Sequence, residues 1–273
     1  MKRLNKNNTP FLILLVVHAI ILFITIQKKG IRKTLQSLLP NIGIAYLFEY
    51  FVLNLFHAYT YYPKFIRNKY LDNVFGAILS QAVFVPITAT YLSLFKLGWR
   101  YKLFFTAYFF IVEHLFLRLK IYRHQWWDAL YTSILLPVFF KISDIVIKSI
   151  RNQNPMTLSR YLTFVVIHVN WLFLLALKNK FRFGYKTFNW DEHFILTPLY
   201  SLWVSVLYTI NDKKKGLSQS LITISSLLFT DFLLKQGGLL QIPNWKKTFL
   251  PVHLTLFSLG GMVKKLFTAK EKR

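Results

Sequence analysis

The sequence predicts an all-α fold, a polytopic transmembrane bundle of about eight or nine spans forming one integral membrane domain. Three observations carry this. The 273 residues are 54% hydrophobic and 18% aromatic, with 27 Phe. Only 16% are charged, where soluble domains carry about 25%. The apolar residues fall in runs of membrane-spanning length, separated by short basic loops.

The chain carries 35 Lys and Arg against 10 Asp and Glu, a formal charge of +25. The cations cluster between apolar runs, as in Lys28-Lys29, Lys213-Lys214-Lys215 and Lys246-Lys247. That placement predicts contact with anionic lipid headgroups, each near-surface cation contributing about 1 kcal/mol. It argues against nucleic acid, which needs a basic face on a soluble fold. There is no Cys, which removes disulfides, thiolate metal sites and Cys nucleophiles. The Lys, Asn, Ile and Phe content suggests a bacterial source, and so a bacterial cytoplasmic membrane.

A basic lead, Met1 to Pro10, precedes the first apolar run, Phe11 to Ile26. No small-x-small cleavage site follows, so an uncleaved first span is expected. The second span, about Leu38 to Tyr62, contains Glu49, Asn54 and His57 and ends in an aromatic cluster, as membrane–water boundaries do. The third, about Asp72 to Phe95, offers Gly76 and Ser80 as a small-residue face for a neighbouring helix. Pro86 should bend it, with Thr88 and Thr90 near the freed carbonyls.

Trp99 to Leu119 is the fourth span, and Lys120 to Trp127 reads as a basic, aromatic turn. In the fifth, from Asp128 to Ile147, Lys141, Asp144 and Lys148 share a face and predict an ion pair. The loop Arg151–Pro155 is the candidate boundary between halves 1–150 and 151–273. A sixth span runs from Leu158 to Leu177 with His168 and Asn170 inside. Asn189 to Glu192 reads as a capping box opening the seventh, which ends near Ile210. The eighth, Leu217 to Leu234, suggests an Asp231–Lys235 pair. The last apolar segment, Phe249 to Phe267, is interrupted by Pro251 and Gly260-Gly261. Lys and Arg divide almost evenly between the two sides of this topology. Only the basic lead favours a cytoplasmic N-terminus. No internal repeat is evident from the residues alone.

The stretch Ile111 to Thr132 concentrates ionisable groups at membrane depth, each costing roughly 2.5–3.5 kcal/mol at a helix centre. His114 and Arg118 share a helical face, and Glu113 stands about 100° away. One reading is a buried acid with basic partners, taking up a proton or a polar head group. The other is a helix-bundle pin held by interhelical hydrogen bonds of roughly 0.6 kcal/mol each. Were the second and fourth helices neighbours, Glu49, His57, Glu113 and His114 would converge. The ligand or proton candidates are therefore Glu49, His57, Glu113, His114 and Arg118, with Glu113 as acceptor and Arg118 as anchor for an anionic group. No cofactor or resident metal is expected. His124 and Asp128 are read as boundary residues beside Trp126 and Trp127.

Glu113-His114-x-x-x-Arg118 resembles the Glu-Glu-x-x-x-Arg helix of CAAX-type intramembrane proteases, and Phe164-x-x-x-His168 is similar to their Phe-x-x-x-His. The second acid is replaced, and a third His-x-x-x-Asn is missing. Tyr59–Pro63, Pro86, Glu113 and Tyr122–Trp127, within residues 40 to 150, resemble uncharacterised multi-pass proteins of Gram-positive spore-forming bacteria. That resemblance implies membrane residence and no particular reaction. The leading expectation is non-enzymatic: transport or sensing of a small polar solute, ion or lipid. A scaffold protein without a ligand of its own is the second, and a protease-like enzyme the third.

Overall fold

Periodic apolar runs do become helices. The computed structural model describes residues 6–152, 157–185, 189–213, 217–242 and 244–268. Most of the basic lead, Lys214-Lys215, the core of the Arg151–Pro155 loop and the Lys-rich tail lie outside the described residues. Among the described residues there are nine helices: α1 Asn8–Lys29, α2 Ile31–Leu55, α3 Lys69–Leu94, α4 Trp99–Arg118, α5 Ala129–Arg151, α6 Thr157–Leu177, α7 Trp190–Lys213, α8 Leu217–Gln236 and α9 Trp245–Thr268. Six of them (α1, α2, α3, α5, α6 and α7) are long and apolar enough to cross a membrane. Eight or nine spans therefore exceed what helix length and hydropathy support on their own. In α4 the limiting residues are Arg100, Lys102, Glu113 and Arg118.

The chain divides into two compact units, Met1–Asn154 and Pro155–Arg273. In the first, α3 packs against α1, α2 and α5, while α4 packs against α5. In the second, α7 packs against α6, α8 and α9. Helix α1 buries Phe11, Leu14, His18 and Thr25 on one stripe. Many of its other side chains, Ile13, Ile20 and Phe23 among them, are exposed, as are Phe104 and Ile111 of α4. Apolar surface of that extent on a monomer marks a lipid-facing belt.

Among the described residues four short strands interrupt the helices: β1 Tyr59–Tyr61, β2 Tyr122–His124, β3 Arg182–Phe183 and β4 Leu240–Gln241. β1 pairs antiparallel with β2, Tyr61 opposite Tyr122, and β3 with β4, Phe183 opposite Leu240. Two sequence expectations are corrected here. The second helix stops at Leu55, so Tyr59 and Tyr61 of the aromatic cluster lie in a strand rather than at a helix end. Lys120–Trp127 is not a plain turn, because Tyr122-Arg123-His124 places alternate residues on opposite faces as a strand does.

These strands expose a regularity that composition hides. Each unit repeats the order helix, strand, helix, helix, strand, helix, from α2 to α5 and again from α6 to α9. The details match. Helix α4 ends with Lys120 N–H bonded to Leu117 O and Ile121 N–H to Phe116 O, Lys120 being left-handed at φ 56°. Helix α8 ends with Gly238 N–H to Lys235 O and Leu239 N–H to Leu234 O, with Gly238 at φ 72°. Both are Schellman caps. Just beyond the strands, Tyr62 N–H donates to Ile121 O at 2.9 Å and Gly184 N–H to Leu239 O at 3.0 Å. Asn73 Oδ1 accepts from Tyr61 N–H, and His193 Nδ1 accepts from Phe183 N–H. Asn68 caps α3 through Tyr70 and Leu71, and Asn189 caps α7 through Asp191.

Other local expectations change as well. The Asn189 cap forms, but Glu192 accepts from Tyr185 N–H instead of closing a capping box. Gly76 does not receive a helix: a Cβ there would meet Tyr61 Cβ at 2.5 Å. Asp144 pairs with Lys102 of α4 rather than with Lys141 or Lys148, which are exposed. Asp231 is fully buried and bonded to Tyr200 and His253, not to Lys235. Helix α9 runs unbroken through Gly260-Gly261.

Candidate functional site

Helices α2 and α3 each contain one π-helical segment, Tyr50–Leu55 and Leu79–Phe84. Such segments widen the helix, leave carbonyls out of register and cluster at functional sites. The segment in α3 directly precedes Pro86, which supplies no N–H to the helix above it. Thr88 bonds back to Phe84 O at 3.0 Å, while Thr90 accepts from Asn41 Nδ2.

Ser80, Gln81 and Phe84 of this π segment form one wall of a cavity of about 350 Å³ in the first unit. The remaining walls are mainly Phe, Leu, Val and Ile from α1, α2, α4 and α5, with Ala45 of α2 and Thr132 of α5, and with Tyr59, Tyr61, Tyr122 and Trp127 from the strand end. The cavity is thus an apolar chamber with its polar groups gathered beside the β1–β2 ladder. That size and lining suit a small ligand with an apolar body.

Two acids serve this chamber. Glu113 of α4 lines it and is 8% exposed. Its Oε1 lies 2.7 Å from His124 Nε2 of β2, and its Oε2 has no hydrogen-bond partner. Glu49, 7% exposed on α2, accepts on Oε2 from the Tyr59 hydroxyl at 2.6 Å and from Gln81 Nε2 at 3.0 Å. Its Oε1 is likewise unpaired. Tyr59 and Gln81 both line the chamber. Leaving a buried acceptor unsatisfied costs about 1–3 kcal/mol, so two such oxygens need a reason. Around them burial pushes the phenols of Tyr59, Tyr61 and Tyr122 above their ordinary range, with the Glu49 carboxylate adding to each.

The expected constellation is half realised. Glu49 and Glu113 both serve the chamber. His57 does not reach it: it is exposed at the end of α2, with φ 47°. His114 is exposed on α4, bonded to Phe110 O of its own helix at 2.9 Å. Arg118 is exposed at the end of that helix, as membrane-boundary cations are. The histidine that does pair with the acid is His124, whose position in the sequence suggests the aqueous boundary. Its signal was the period-two alternation shared by Tyr59-Thr60-Tyr61 and Tyr122-Arg123-His124. Asp128, also read as a boundary residue, is exposed and caps α5 through Leu130 N–H at 2.8 Å.

Two further polar centres lie outside the chamber. In the first unit, Asn41 Nδ2 donates to Thr90 and to Ser143. Ser143 and Ser93 are 3.0 Å apart, and Ser93 donates to Asp144 Oδ1, which is ion-paired with Lys102 through its other oxygen. The buried Lys102 is thereby neutralised, and four helices are tied together. In the second unit, Asp231 Oδ1 accepts from the Tyr200 hydroxyl at 2.5 Å, and Oδ2 lies 2.8 Å from His253 Nε2. His168, matched above to a protease motif, is bonded to Ser201 Oγ at 3.0 Å. Among the described residues no group of three or more His, Cys, Asp or Glu is arranged to hold a metal ion.

No family model, curated protein or solved structure matches this chain.

Proposed function

We propose that the first unit binds a small, mainly apolar ligand drawn from the membrane, its single polar head anchored on Glu113, and that the protein carries or senses that ligand. The observation supporting this is the unpaired Oε2 of buried Glu113 in the wall of a 350 Å³ aromatic and aliphatic chamber. A structural pin needs no chamber. The chamber's few polar groups favour an amphiphile over the polar solute or ion also considered. The protein acts without catalysis, in a bacterial cytoplasmic membrane whose anionic headgroups meet the basic loops.

Strand closure supports nine spans. β1 and β2 are bonded neighbours, so the chain between them returns to the side it left. With α3 crossing, α4 crosses back despite its charges. The β3–β4 ladder imposes the same on α7 and α8, and the parallel order of the two units makes α9 the counterpart of α5.

Trp127 in the chamber wall provides the readout, because bromine quenches indole fluorescence at contact. A brominated undecyl chain with a polar head should quench wild type saturably, and the component lost in Trp127→Phe reports the chamber. Ala45→Phe, which fills it, should abolish saturation. Equal, unsaturable quenching in wild type and Ala45→Phe would overturn the reading.

A further inference from the structure

The two units differ at one corresponding place, and the difference names the ligand's head. Glu113 stands seven residues before Lys120, the left-handed residue that closes α4. Asp231 stands seven residues before Gly238, the left-handed residue that closes α8. The helix caps, the strand pairing and the Tyr62–Ile121 and Gly184–Leu239 bonds agree residue for residue around them. A shared fold class does not require such agreement. The agreement makes the units two like four-helix modules, with Glu113 and Asp231 at corresponding positions. Each acid has one oxygen beside an imidazole, His124 in the first module and His253 in the second.

The other oxygen separates them. In the second module Oδ1 of Asp231 is filled by the Tyr200 hydroxyl at 2.5 Å. In the first module Oε2 of Glu113 is unpaired in the chamber wall. The protein's own solution to this environment is therefore a single O–H carried on an apolar ring. Glu49 repeats it, taking the Tyr59 hydroxyl at 2.6 Å.

We propose that Tyr200 occupies in the second module the place a ligand takes in the first, so the ligand of the Glu113 chamber is a hydroxyl compound, an apolar alcohol or phenol. The inference rests on the reading of the chamber as a ligand site. Donor counting supports a hydroxyl over an amine. An ammonium brings three N–H donors and a hydroxyl one, and the chamber offers one unpaired carboxylate oxygen on a lining residue. Unmet donors in an apolar chamber count against the amine. A carboxylate head would meet Glu113 as a like charge.

The experiment titrates Trp127 quenching with four probes of one body: bromoundecanol, bromoundecylamine, bromoundecanoate and bromoundecane. Wild type should bind the alcohol at least tenfold tighter than the other three. Glu113→Gln, which keeps an acceptor without charge, should lose part of that preference, and Glu113→Leu all of it. Thermal unfolding checks both folds, and if the Leu variant fails to fold, a threefold loss in Glu113→Gln carries the test. Binding that ignores the head, or prefers the amine, would overturn the hydroxyl assignment and leave the chamber a ligand site. Unsaturable quenching by all four probes would overturn both.

Discussion

His124 and Glu113, eleven residues apart, meet at 2.7 Å across the junction between α4 and β2. The contact ties the buried acid to the strand ladder rather than to another helix. Removing His124 leaves both Glu113 oxygens without a partner. His124→Ala should therefore destabilise the protein by about 2 kcal/mol, read as thermal unfolding in detergent. Glu113→Gln, which keeps a bond to the imidazole with no buried charge, should cost under half as much. Equal losses would show that packing, not the hydrogen bond, holds this junction.

Strand closure makes a topological prediction that the absence of native Cys renders easy to read. Single cysteines at Lys64, Lys120 and Tyr185 should react with an impermeant maleimide from one side of the membrane. Cysteines at Lys96 and Asn152 should react only from the other. Labelling of Lys64 and Lys96 from the same side would mean that α3 does not cross.

Gly76 of α3 lies against β1 so closely that an added Cβ would fall 2.5 Å from Tyr61 Cβ and 2.9 Å from its Cγ. Those atoms are held in the ladder and cannot swing away. Gly76→Ala should cost about 1–3 kcal/mol through overpacking. Gly98→Ala, with nothing within 4 Å, should change little. Thermal unfolding of the two variants side by side checks the contrast.

The buried phenols of Tyr59, Tyr61 and Tyr122 set an alkaline limit. Burial raises all three above their ordinary value, so above pH about 10 the unfolded chain gives up protons that the folded one keeps. Stability from these groups is complete below pH about 10 and falls as pH rises further, because the folded state then binds more protons than the unfolded. Replacing Tyr61 and Tyr122 with Phe should flatten the loss of thermal stability between pH 10 and 11.5. An unchanged slope would place the alkaline sensitivity elsewhere.

Hydropathy placed most helices to within a few residues, because burial in lipid is a property of composition over a window and needs no partner. The second helix, Ile31–Leu55, begins and ends well before the span expected from Leu38 to Tyr62. Hydropathy also singled out Glu49 and Glu113, since an ionised group inside an apolar run is costly wherever the run packs. Pairing was not legible in this way. Periodicity made neighbours of Glu113, His114 and Arg118, yet on a helix surrounded by lipid the face that turns inward depends on which helices surround it. It was Glu113 that turned in, while His114 and Arg118 turned out. Likewise Asp144 found Lys102 on α4 instead of the lysines on its own helix, and Asp231 found Tyr200 and His253.

The strands escaped for a different reason. A two- or three-residue ladder has almost no sequence signal, because its stability comes from bonding to a partner about sixty residues away. The repeat was hidden with it, since its marks are backbone hydrogen bonds and left-handed caps that Lys120 and Gly238 satisfy equally well with unlike side chains. The sequence by itself determined that this chain lives as helices in a membrane and carries buried acids. Only the tertiary structure decided which oxygens those acids leave open, because an unpaired oxygen is defined by what every neighbouring element fails to supply.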